Sequence, residues 1–204
     1  MTVWPSSPDQ PDTSLTAQDL NDLRDFIRVQ VAAGYAPIPV IVEEAVDAFS
    51  DSLPVAAVRE AARSLADAAL AEHLADQATW PATTDCDRLD AAFAALEASG
   101  IVARQHFACC GACGATQIVD EMERAAKDGR VVRGYTFFHI QDTEHAVDGE
   151  GLFLSYGARD GGKEAAVGIG HEVVAALLRQ GLQPTWNGRH SHRIGLPIVW
   201  QRRR

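Results

Sequence analysis

Apolar residues recur at helical spacing at Leu20, Leu23, Ile27 and Val31, behind Thr16 and Asp19 and ahead of Gly34. A Thr followed three positions later by an acidic side chain caps a helix N-terminus, and Gly supplies a left-handed stop, so this segment reads as a first helix. Pro37 and Pro39 force a turn, after which Val40 to Phe49 and Pro54 to about Ala75 read as two further helices, the second rich in alanine. Asp76 to Thr84 reads as a loop, and Thr84 or Asp85 caps a fourth helix that runs to Ser99 and ends at Gly100.

From Ile101 the period changes. Ile101 to Phe107 and Gly134 to Ile140 are short β-prone runs on either side of an amphipathic segment, Ala115 to Lys127, which is a β-α-β signature. Leu152 to Tyr156 reads as a third strand, Lys163 to Gln180 as a helix, and Thr185–Trp186 and Arg193 to Val199 as terminal strands. The expected fold class is α+β: a frayed tail over 1-15, a helical region over 16-100 and a mixed-sheet domain over 101-204.

Composition narrows the classes of function. A chain of 204 residues with 47% hydrophobic content buries a substantial core. No run approaches the roughly 20 apolar residues that span a bilayer, and residues 1–13 carry neither the basic nor the apolar region of a leader, so a cytoplasmic protein is expected. A net charge of −10 removes the global field that attracts phosphate backbones, and no nucleic-acid partner is expected. The one basic run, Arg202 to Arg204, reads as a solvated tail.

Four cysteines in a reducing compartment serve as packing residues, metal ligands or redox thiols. Cys86 stands alone, whereas Cys109, Cys110 and Cys113 cluster between the first predicted strand and a helix expected to begin near Gly114. A helix N-terminus favours a thiolate in its first turn. With the two β-prone runs parallel, their C-terminal ends share one sheet edge, where open α/β sheets bind ligands. The loop after the second run, holding His139, Gln141, Asp142, Thr143, Glu144 and His145, would then face the cysteines.

Three chemistries fit that juxtaposition. Cys110 and Cys113 offer two thiolates for a tetrahedral zinc, completed by a pair among Cys109, His106, His139 and Cys86 with Cys109 and His139 as the candidates taken, although one CxxC is half a zinc motif and adjacent strand residues point to opposite faces. Alternatively Cys110 attacks as a thiolate with Cys113 as its resolving partner, or Cys110 is a nucleophile with His139 as base and Asp142 orienting it. Gln141 and Glu144 are candidates to contact a bound ligand at the same edge. In the third reading the cysteines only pack beneath the helix, and the helical half presents an acidic surface to a protein partner. His73, His171, His190 and His192 are left out of the site, the last two as solvated loop residues.

The stretches Phe107-Ala-Cys-Cys-Gly-Ala-Cys-Gly114 and Gly134-Tyr-Thr-Phe-Phe-His-Ile-Gln-Asp-Thr-Glu144, followed by Gly151-Leu-Phe-Leu-Ser-Tyr-Gly157, resemble a bacterial family classed as a domain of unknown function. Its pattern is similar to FTCCxxCG followed by FFHxQDTE, and its members are frequent in high-GC Gram-positive bacteria. The resemblance covers roughly residues 85 to 204 and implies no activity or ligand set. Ala108 stands where the pattern has threonine, and His145 where it has another residue.

Overall fold

The computed structural model describes residues 14–204, so most of the expected tail lies outside the described residues. Leu15, counted in that tail, packs against the first core. The chain divides into two compact units, one formed by residues up to Val31 with Ala36–Leu74, the other by Ala32–Tyr35 with Ala75–Arg204.

The first unit is built from α1 (Ala17–Ala33), α2 (Ile38–Phe49) and α3 (Val55–Gln77). Thr16 and Asp19 cap α1 reciprocally, through Asp19 N–H to Thr16 Oγ1 at 3.2 Å and Thr16 N–H to Asp19 Oδ2 at 2.8 Å. Leu23, Ile27 and Val31, four residues apart, are all buried and meet Ile41, Ala45, Val58, Ala62 and Ala66. Helix α2 begins two residues before its expected start: Pro37 is its N-cap and Pro39 lies in the first turn, where no N–H is needed.

The second unit begins with α4 (Asp85–Ala98), whose capping box pairs Thr84 with Asp87. Its Leu89, Ala92, Phe93 and Leu96 belong to the core of the sheet rather than to the helical unit's core. After it come β1 (Ile101–Arg104), α5 (Gly111–Lys127), β2 (Gly134–Phe137), α6 (Ile140–Val147), β3 (Leu152–Ala158), α7 (Gly162–Arg179) and β4 (Ile194–Leu196). The sheet order is β1-β2-β3-β4, with β1 and β2 parallel and the other two pairings antiparallel. The chain is thus α+β, and the β-α-β unit expected from the sequence is present.

The two faces of the sheet are covered unequally. On one, Ile101, Leu154, Tyr156 and Ile169 share a core with α4 and α7. A Cβ at Gly134 would lie 2.8 Å from Ile169, so only glycine lets α7 approach this closely. On the other, Ile118 and Met122 of α5 pack on Val102 and Phe137 of β1 and β2. The odd-numbered residues of β3 on that face, Phe153 and Ser155, are exposed or half-buried.

Three strands are shorter than their patterns predict. The β1 run stops at Arg104 because His106 and Ala108 take positive φ, at 50° and 60°. The β2 run stops at Phe137 because His139 is already the N-cap of α6. Near the end, Arg193 to Val199 contracts to Ile194–Leu196, ahead of Pro197, and Thr185 keeps only an isolated bridge to Gly195.

The basic end is not a solvated tail. The Arg202 guanidinium lies 4.4 Å from the centre of the Tyr35 ring, pairs with Asp90 at 2.8 Å and donates to Gln105 at 2.8 Å. Burying the stem while the head finds a carboxylate and an aromatic face is how an arginine enters a core. Trp200 donates to the carbonyl of Ala32 at 3.1 Å, and Arg203 and Arg204 bond to Pro81 and Gln77, so the last residues are built into this unit.

Candidate functional site

The segments after β1 and β2 run side by side, held by backbone bonds from Phe107 N–H to Phe138 O (2.9 Å), Phe138 N–H to Arg104 O (3.2 Å) and Ile140 N–H to Ala108 O (3.1 Å). Parallel strands end on one edge, and these bonds continue the alignment past the strands themselves. His139 consequently lies against the start of α5: its Nε2 is 3.6 Å from where a Cβ on Gly111 would sit.

Helix α5 begins at Gly111, three residues earlier than expected. Cys110 is therefore the N-cap and Cys113 the third helical residue, with Gly114 N–H bonding Cys110 O at 2.9 Å to close the turn. Cys109 does not follow strand alternation, because it lies in the loop that the positive φ of Ala108 turns. The sulfurs of Cys109, Cys110 and Cys113 all lie within 4.8 Å of one another, with Cys109 exposed and the other two partly exposed.

The helix end and the neighbouring thiols split the acidities. The N–H of Cys113 exerts the largest pull on Cys110, followed by the thiols of Cys113 and Cys109, and together they hold the Cys110 thiol below its ordinary range. Cys113 is pushed up to about 11 by the thiols of Cys109 and Cys110, which disfavour a second negative charge beside them.

The residues of the second motif take other roles. The stretch expected as a loop is helix α6, and His139 and Asp142 form its capping box, with Asp142 N–H donating to His139 Nδ1 at 3.2 Å and His139 N–H donating to Asp142 Oδ2 at 3.0 Å. That leaves the proton of the neutral imidazole on Nε2, 3.1 Å from the Asp142 carboxylate. Burial lowers the His139 pKa, against the opposing pull of Asp142. Asp142 is 1% exposed and receives both arms of the Arg193 guanidinium, at 3.0 and 2.5 Å. Gln141 and His145 are exposed and Glu144 is half-buried.

The structure thus gathers the three cysteines and sets His139 beside Gly111, outside the group of sulfurs. Three contacts escaped the sequence reading. Arg193 neutralises Asp142 from 51 residues away, Thr143 holds His106 through Oγ1 to Nδ1 at 2.9 Å, and Tyr35 stacks on His106 at 4.4 Å. Only the Asp three residues after His139 carried a local signal, as the acidic half of a capping box.

From residue 16 to residue 204 the chain matches the family model described as a domain of unknown function, DUF6891. It belongs to that family. The DUF6891 match takes in the helical unit as well as the region carrying the two motifs. No curated protein and no solved structure matches the chain. Among the described residues of this DUF6891 chain, no helix is long and apolar enough to cross a membrane.

Proposed function

We propose that this DUF6891 chain is a cytoplasmic accessory or regulatory protein in which Cys109, Cys110 and Cys113 hold a zinc ion. The single observation that carries this is the convergence of three sulfurs, within 4.8 Å of one another, on the N-terminus of a helix. Three thiolates on a tetrahedral zinc at ~2.3 Å stand roughly 3.8 Å apart, a small closure from the observed spacing. Bound zinc relieves the mutual repulsion that raises Cys113, since the dication lies against all three sulfurs and offsets most of their charge. A fourth ligand from outside the triad completes the tetrahedron. Exposure of Cys109 speaks against a purely packing role for the cluster.

One observation favours a second reading, a dithiol that reduces disulfides. Cys110 is lowered and Cys113 raised, the order required of an attacking and a resolving thiol. The Cys110 thiolate attacks a substrate disulfide and expels one substrate sulfur as a thiolate; Cys113, on deprotonation, displaces the second and leaves a Cys110–Cys113 disulfide. A reaction with His139 as the base of Cys110 has less support, because His139 Nδ1 is engaged in the cap of α6.

Metal content separates the readings. Full-length protein purified without chelator should carry about one zinc per chain, lost in Cys113→Ser. A zinc content near zero in the unmodified protein removes the metal reading; reversible formation of a Cys110–Cys113 disulfide in that same protein would then support the dithiol.

A further inference from the structure

Helix α5 packs on β1 and β2, and beside it residues of the loop that precedes β4 lie next to Ser155 of β3. That loop is tied to the edge of β3 and to itself: Tyr156 Oη donates toward the carbonyls of Arg189 and His192 at 3.0 and 3.1 Å, and Trp186 Nε1 donates to His192 O at 3.1 Å. A cavity of about 250 Å³ lies between the loop and the first turns of α5, floored by Tyr135, Phe137 and Ser155 and walled by His190, His192 and Arg193. A cavity of this volume suits a small molecule.

The polar groups around it are unusual in two ways. No carboxylate lines the cavity, although the chain carries 28 acidic residues against 18 basic ones. Among the described residues, the Tyr135 and Ser155 hydroxyls make no side-chain hydrogen bond to protein, and Arg193, with both terminal nitrogens on Asp142, keeps Nε unengaged. The ring of Tyr135 lies over Gly157, where a Cβ would come within 2.7 Å of its oxygen, so the absence of a side chain there leaves the hydroxyl its place beside the cavity. Two half-buried hydroxyls without protein partners and two exposed nitrogen-bearing side chains, gathered on one concavity, can all turn to one acceptor that the chain does not supply.

We propose that this cavity binds a small oxyanion, a phosphate or a low-molecular-weight carboxylate, through the Tyr135 and Ser155 hydroxyls, Arg193 Nε and the His190 imidazole. A carboxylate or phosphate accepts several hydrogen bonds at once and suits a lining that offers several donors and no carboxylate, whereas a cationic ligand would find no counter-charge. The site is independent of what the cysteines hold, since none of the three lines the cavity.

Calorimetric titration of the full-length protein with inorganic phosphate, and separately with acetate, tests the proposal. At least one probe should bind with one site per chain, and Tyr135→Phe and Ser155→Ala should each weaken it about fivefold or more while melting temperature and zinc content stay unchanged. Amide shifts on titration should centre on Gly111, Ser155 and His190, a mapping that does not depend on how the variants fold. Absence of binding by both probes up to about 10 mM, affinity unaltered in both variants, or shifts confined to another surface would each overturn it.

Discussion

Arg193 grips Asp142 with both terminal nitrogens, tying the loop before β4 to the first turn of α6 across 51 positions of sequence. The carboxylate is 2% exposed and the guanidinium 37%, so the pair is buried on one side and open to water on the other. A carboxylate that also receives the His139 N–H caps the helix while its charge is cancelled from outside it.

Removing the cation should therefore cost more than its solvent exposure suggests. Arg193→Met strands a buried carboxylate and is expected to lower stability by about 2–3 kcal/mol, a figure discounted for the open guanidinium. Urea denaturation of Arg193→Met, Asp142→Asn and the double variant checks this, with the double variant recovering part of the loss. Additive losses would show that the pair is not coupled.

His106 makes stability depend on pH in a fixed direction. Burial, with Arg202 adding to it, pushes its imidazole down to about 4, below the ~6.5 of an unfolded histidine. The unfolded chain binds the proton first, so the contribution is complete above pH ~6.5 and is lost as the pH falls towards 4. Between pH 7 and 4.5 the wild-type protein should lose about 2 kcal/mol more than His106→Asn, a residue that also tolerates the positive φ of this position. Parallel curves for the two proteins in urea titrations would refute this.

Gly114 sets how closely the thiol-bearing helix lies on the sheet. A Cβ there would stand 2.5 Å from Phe137 Cε2 and 2.8 Å from its Cζ, and Phe137 is only 1% exposed, so the ring has no space to withdraw. Gly114→Ala is expected to cost about 1–3 kcal/mol through overpacking. Because it displaces the turn that carries Cys113, it should also weaken zinc retention about tenfold or more, read by competition with a chromogenic chelator. Unchanged thermal unfolding would show that α5 shifts without strain.

Local chemistry made much of this protein legible from its residues alone. Helical periodicity located α1, α3 and α7, the Thr16/Asp19 pair and Thr84 marked two N-termini, and the β-α-β order brought the cysteines and His139 to one sheet edge. These features depend on neighbours within a few positions, and such neighbours act before any tertiary contact forms.

What only the tertiary structure decided involves partners distant in sequence. The Asp142–Arg193 pair, the Tyr35 ring shared by His106 and Arg202, and the inclusion of the arginine-rich end in the second unit join residues separated by 51 to 167 positions. The gathering of Cys109 with Cys110 and Cys113 required the left-handed turns at His106 and Ala108. An isolated chain disfavours that backbone, and here the hydrogen bond between His106 and Thr143, the Tyr35 stack and the bond from Ile140 to Ala108 hold it in place.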